Sequence, residues 1–117
     1  MTQNEPFDRE MKRGTLELLV LRLLSEGKTW GYELVSRLTD RSGGWIELKE
    51  GTLYPVLYRL EDAGLIASEW NPPPRGVPRK YYRITAKGRK RLDELTAIWR
   101  SWVEVVESVL AEGKEKE

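Results

Sequence analysis

Glu50-Gly-Thr-Leu-Tyr-Pro-Val-Leu-Tyr-Arg-Leu-Glu-Asp-Ala-Gly-Leu-Ile66 is the stretch around which the rest of the chain can be organised. Leu53, Val56, Leu57 and Leu60 recur at helical spacing and, at about 100° per residue, share one narrow arc. Gly64 is a natural helix terminator, with apolar Leu65 and Ile66 beyond it. The opposite arc carries Gly51, Pro55 and Tyr58, flanked by Thr52 and Arg59 on one side and Tyr54 on the other. An ordinary solvated face would hold Lys and Glu, whereas this one is aromatic, small and hydrogen-bonding. Two readings stand here: a helix held from behind that presents its front to a partner, or a surface helix with two scattered tyrosines.

Working back toward the N-terminus, Trp45-Ile46-Glu47-Leu48 reads as a short β-like piece, preceded by a break at Ser42-Gly43-Gly44. A second helix is expected from about Gly31 to Leu38 or Thr39, with Tyr32, Val35 and Leu38 on one side. A first helix is expected from about Arg9 to Ser25. Its Leu16, Leu18, Leu19, Val20, Leu21, Leu23 and Leu24 leave little polar face, so it must be covered on several sides. Residues 1–8 read as a loose arm.

Working forward, Leu65–Trp70 and Arg79–Thr85 read as two strands. Their connection holds Pro72, Pro73 and Pro74, which favour a stiff extended loop, and basic Arg75. Thr85 is a plausible N-cap for the last helix. Along that helix Leu92, Leu95, Trp99, Trp102, Val106 and Val109 are spaced 3, 4, 3, 4, 3, a heptad seam widened by Ile98, Val105 and Leu110. A helix of roughly 25 residues spans about 37 Å and would outreach a core built from the preceding chain. A second copy of the chain is the economical cover for this seam and for the first helix, and a closed two-fold dimer is the default form. The competing reading folds the long helix back on its own domain. The expected division is an arm over 1–8, a folded domain over 9–84, a dimerisation helix over 85–112 and a charged tail over 113–117.

The chain of 117 residues, 39% hydrophobic and 33% charged, suits one small domain that leans on helices. No apolar run approaches the ~20 residues of a membrane span, and the start lacks the basic-then-apolar pattern of a signal peptide. No membrane partner is expected, and the location is expected to be cytoplasmic. With neither His nor Cys, the commonest general base, metal ligand and nucleophilic thiol are missing. An enzyme would need paired carboxylates in a cleft, but the acids fall on helix exteriors and in the tail. No catalytic residue, metal or cofactor is therefore expected. The net charge of +1 hides a segregation: no acid lies between Glu69 and Asp93, a stretch holding Arg75, Arg79, Lys80, Arg83, Lys87, Arg89, Lys90 and Arg91. Local field matters more than the sum for a polyanionic partner.

Helix, helix, helix, hairpin is the order of a winged helix-turn-helix, a mainly α (α+β) fold with a two-stranded wing. Three motifs carry a resemblance: Gly51–Ile66, Arg79-Lys-Tyr-Tyr-Arg-Ile-Thr-Ala-Lys-Gly-Arg89 and Trp30-Gly-Tyr-Glu-Leu34. Together they resemble the PadR family of bacterial transcriptional regulators, over roughly Arg13 to Trp102. The single long final helix is similar to that of the short subfamily. The resemblance implies a homodimer joined through the last helix, binding a pseudo-palindromic operator on double-stranded DNA as a repressor. It also implies release by a planar aromatic small molecule in some members. In multidrug-sensing members a tryptophan of the final helix and its symmetry mate sandwich such a ligand, and Trp99 falls at that position. The chain departs from the family in its proline-rich wing, and in Trp102, which sits where it could fill the ligand's space.

Within this frame, Arg75, Arg79 and Lys80 are expected to meet phosphates from the wing, with strong salt dependence. Thr52, Tyr54, Tyr58 and Arg59 are the candidates for sequence reading. Tyr54, at the edge of the apolar arc, is equally readable as packing. Tyr81 and Tyr82 alternate across a strand, so one belongs to the core. Trp99 and Trp102 are readable as effector-binding residues or as plain dimer core. The runner-up from another class is a non-catalytic protein-interaction module that uses the third helix, with an incidental basic wing.

Overall fold

The fold is that of a computed structural model describing residues 5–71 and 76–111, with side chains from Thr15 onward. Its elements are α1 (Glu5–Leu24), β1 (Thr29–Trp30), α2 (Gly31–Arg41), α3 (Glu50–Asp62), β2 (Ile66–Asn71), β3 (Arg79–Ile84) and α4 (Ala86–Leu110). This is a mainly α winged helix-turn-helix. α1 begins at Glu5, before the expected Arg9, so residues 5–8 of the expected loose arm are helical. The Pro72–Arg75 part of the wing and the tail over 113–117 lie outside the described residues.

The core is where the leucine-rich α1 meets the apolar arc of α3. Leu16, Val20, Leu21, Leu23 and Leu24 are buried against Leu53, Val56, Leu57 and Leu60, with Leu34 and Leu38 of α2 completing the three-helix contact. Each such side chain contributes roughly 1.5–3 kcal/mol relative to an exposed one. Ile66, Tyr82 and Ile84 close the core from the sheet, and Leu92 from α4.

The sheet has three antiparallel strands in the order β1-β3-β2, where two were expected. β2 pairs with β3 from Ile66↔Ile84 to Asn71↔Arg79, and β1 takes the other edge through Thr29↔Tyr82 and Trp30↔Tyr81. Trp45–Leu48 pairs with none of these strands and is irregular, contrary to its β-like pattern. Its alternation plugs the core instead. Leu48 is buried, Ile46 packs against the core and donates its backbone N–H to Ser42 Oγ at 2.9 Å, and Trp45 points out.

Two joints hold α3 in place. Its C-terminus closes with Gly64 at φ 76°. Gly64 N donates to Glu61 O and Leu65 N to Leu60 O, both at 2.9 Å, a pairing that needs a residue tolerant of the left-handed region. α4 starts directly on this turn. Thr85 Oγ1 accepts from Gly88 N at 3.0 Å, as its N-cap reading requires, and reaches the Gly64 carbonyl at 2.7 Å. Lys87 Nζ donates to Ala63 O at 2.8 Å. A Cβ on buried Gly88 would collide with the Leu65 carbonyl and the Ile84 side chain, so the approach of α4 to the turn after α3 requires glycine there. Pro55 lies deeper in α3 than the first turn where its missing N–H would be harmless. It removes the helical donor of the Gly51 carbonyl, on the exposed side of the helix.

Candidate nucleic-acid interface

The outward face of α3 is the one the spacing predicts. Gly51, Thr52, Pro55, Tyr58 and Arg59 are all exposed, and Tyr58 keeps 65% of its surface open. Tyr54 is a different case. A Cβ on Gly31 would lie 2.5 Å from the Tyr54 hydroxyl, so its ring packs on the first residue of α2. Burial, and then the Glu50 carboxylate, push the Tyr54 phenol up from its ordinary range, so it is a neutral hydroxyl locking α3 to α2. Arg59 is tied back to α1, its Nε donating to Glu17 Oε2 at 3.1 Å with both side chains partly open to solvent.

Strand alternation divides the wing residues. Ile66, Ser68 and Trp70 of β2 share a face with Ile84, Tyr82 and Lys80 of β3. That face looks toward α3, because Ser68 Oγ donates to Glu61 Oε2 at 2.6 Å. Tyr82 lies beneath it, its phenol pushed up to about 12 by burial and by nearby Tyr54, Glu61 and Tyr58. Lys80 Nζ sits 5.7 Å from the Tyr82 ring centroid. Arg79 belongs to the other face, its guanidinium 4.0 Å from the Trp30 ring centroid. There Tyr32 leans on Trp30 at 5.7 Å between centroids, and Lys28 pairs with Glu69 at 2.9 Å, holding that carboxyl below its usual range. Arg79 and Lys80, expected to act together, thus point to opposite sides of β3. Arg75 lies outside the described residues.

Sequence reasoning gave Trp30 a place in a family motif and Trp70 the end of a strand, but neither a part in the interface. Trp30 could not be placed without β1, a strand too short to show a period. Trp70 could have been, since counting β2 against β3 puts it opposite Lys80. Of the other cations, Lys87 is spent on the α3–α4 joint and Arg91 pairs with Glu94 at 3.3 Å, while Arg83, Arg89 and Lys90 remain exposed. From the turn after α1, Glu26 holds Arg37 at 2.6 Å and Arg41 at 2.7 Å on α2. Hydrogen bonding by Arg41 above all keeps the Glu26 carboxyl below its ordinary range.

The expected dimer seam on α4 divides in two. Leu92 is 7% exposed and Leu95 packs against the core, so the chain uses both itself, leaving Leu92 little surface to offer a partner. Farther along, Trp99, Trp102, Val105, Val109 and Leu110 are all exposed. Trp99 lines a groove of about 940 Å³ between α1 and α4 with Leu18, Leu19, Leu92 and Val103. Trp102 does not line this groove and borders a separate hollow with Ile98 and Val105. Among the described residues no His, Cys, Asp and Glu cluster suits a metal ion, and no helix is long and apolar enough to cross a membrane.

This exposed helix, wing and apolar long helix have counterparts in known proteins. Residues 20–94 match the model of the transcriptional regulator PadR-like family. A transcriptional regulator of Mycobacterium tuberculosis is 37% identical over 86 residues, 74% of this chain and 77% of that protein. A PadR family transcriptional regulator from Eggerthella lenta is similar in structure, with a TM-score of 0.79, 41% identity, and coverage of 97% of this chain and 93% of that one. Bacillus subtilis PadR, solved in complex with operator DNA, has a TM-score of 0.63 at 27% identity, over 69% of this chain and 46% of its own. Such proteins are transcriptional regulators and not enzymes. The chain belongs to the PadR-like family of transcriptional regulators.

Proposed function

We propose that this regulator is a cytoplasmic repressor that binds a pseudo-palindromic operator as a homodimer, with one α3 in each half-site. The observation that carries the reading is the outward face of α3. A helix held on one side by Leu53, Val56, Leu57 and Leu60 shows Thr52, Tyr58 and Arg59 on the other, beside a wing rich in cations. Bacillus subtilis PadR with its operator supplies the precedent for duplex DNA as the partner. Thr52, Tyr58 and Arg59 read base edges, Arg59 with the geometry to bond guanine. Tyr54 supports them from its seat on Gly31. Lys80 meets phosphate on the α3 side of the wing, Arg79 meets phosphate from its stacked position on the other, and Arg75 acts from the wing connection. α3 carries Glu50, Glu61 and Asp62 against Arg59, so it discriminates more than it attracts, and the wing cations supply most of the affinity.

The second copy packs on the distal part of α4. Exposed Trp102, Val105 and Val109, with half-buried Val106 among them, form an apolar stripe of a kind that isolated soluble domains rarely leave open. The groove beside Trp99 is the place for a planar aromatic effector. Trp99 emission should then respond to such a compound and the response should vanish in Trp99→Phe; unchanged emission across phenolic acids and planar dyes would make Trp99 plain packing. The DNA-binding reading is tested by selecting duplexes from a random pool, then titrating the selected duplex and a scrambled one at two salt concentrations. Preferential, salt-sensitive binding is expected; equal affinity for the two would overturn the reading.

A further inference from the structure

We propose that Trp70 is a DNA-contacting residue that extends the α3 surface onto the inner face of the wing; this rests on the operator-binding reading above. Trp70 lies on the face of β2 that looks toward α3, in register with Lys80 and one step nearer the hairpin tip than the Ser68–Tyr82 pair. The inner residues of that face, Ile66, Tyr82 and Ile84, are buried, yet Trp70 keeps 65% of its surface open. Its cross-strand neighbour does not cover it, since Lys80 is drawn over the Tyr82 ring. Among the described residues no ring or cation stacks on the indole. Trp30, across the sheet, has Arg79 and Tyr32 against its ring.

The surroundings say what would cover it. A lysine beside it, exposed Tyr58 on the neighbouring α3 and a following stretch with no acid before Asp93 make a surface for a polyanion with apolar edges, while the adjoining Glu69 turns to the other face and is paired with Lys28 at 2.9 Å. Duplex DNA fits: the indole face suits deoxyribose and base edges in the groove, and its N–H suits a phosphate oxygen or a minor-groove acceptor. An apolar protein segment would gain nothing from the flanking cations. The contact has a signature of its own, because an indole releases no counterion. Removing it should weaken binding without changing the salt slope, whereas removing Lys80 should lower the slope by about one.

The experiment titrates the duplex selected by the wild-type protein from a random pool, at several salt concentrations, with wild type, Trp70→Ala, Trp70→Thr and Lys80→Ala. Threonine is a strand former without a ring, so it guards against an effect of the alanine on the strand. Both Trp70 variants should lose roughly tenfold in affinity with the wild-type salt slope and an unchanged unfolding temperature. Binding by both within twofold of wild type would overturn the proposal, as would a loss that appears only as a smaller salt slope. If the wild type itself shows no preference for the selected duplex over a scrambled one, the operator reading fails first and Trp70 falls with it. A preference retained in full by both variants removes Trp70 alone.

Discussion

A methyl group on Gly88 has nowhere to go, because the Leu65 carbonyl fills the space a Cβ would need. Gly88→Ala should cost about 2–3 kcal/mol despite its better helix propensity, read as a lowered chemical-denaturation midpoint. A gain in stability would mean that α4 shifts away from the Leu65 carbonyl without penalty. Tyr82 makes a pH prediction. Its folded phenol is raised to about 12, above the ordinary value near 10, so the neutral form is favoured by folding. That contribution is intact below about pH 10 and is lost as pH rises toward about 12. Tyr82→Phe should flatten this loss in part, the remainder coming from Tyr54, whose phenol is shifted in the same direction. An unchanged profile would contradict the burial argument. At this scale the local chemistry was legible. The N-cap role of Thr85 needs only its neighbours, and the donor it serves is Gly88, three residues on. The collision at Gly88 and the contact of Tyr54 with Gly31 were not legible, because each depends on an element distant in sequence.

At the scale of elements, α3 was the most readable part of the chain, since a one-sided apolar arc fixes which face turns outward. Its tether was not. Nothing in the spacing of either helix announces that Arg59 pairs with Glu17 of α1 at 3.1 Å. This carboxylate both occupies the guanidinium and repels an approaching phosphate. Glu17→Gln should therefore tighten DNA binding about threefold, the scale of an exposed ion pair. Weaker binding would show instead that Glu17 holds Arg59 in its reading posture. The sheet was only half legible. β2 and β3 show their period, but the two residues of β1 are too few to show any, and Trp45–Leu48 imitates a strand because alternate side chains plug the core. Once β1 is placed, Trp30 gains its role as the platform of Arg79, and Arg79 and Lys80 part company across β3.

For the whole molecule, operator reading as proposed needs two copies of the chain. α4 spends Leu92 and Leu95 on its own chain, then runs on with Ile98, Trp102, Val105 and Val109 exposed, which one chain alone gives no reason for. The heptad spacing showed that the stripe exists. It could not show where the chain's own core ends and the stripe begins, because that point is set by how far α1 reaches along α4. In the proposed complex two α3 helices, related by a two-fold axis through α4, read two half-sites. A hydroxyl-radical footprint on the selected duplex tests it most directly. Two protected patches related by a dyad are expected, one helical turn or a small multiple apart, about 34–36 Å per turn. A single asymmetric patch, or protection with no dyad in the underlying sequence, would contradict it.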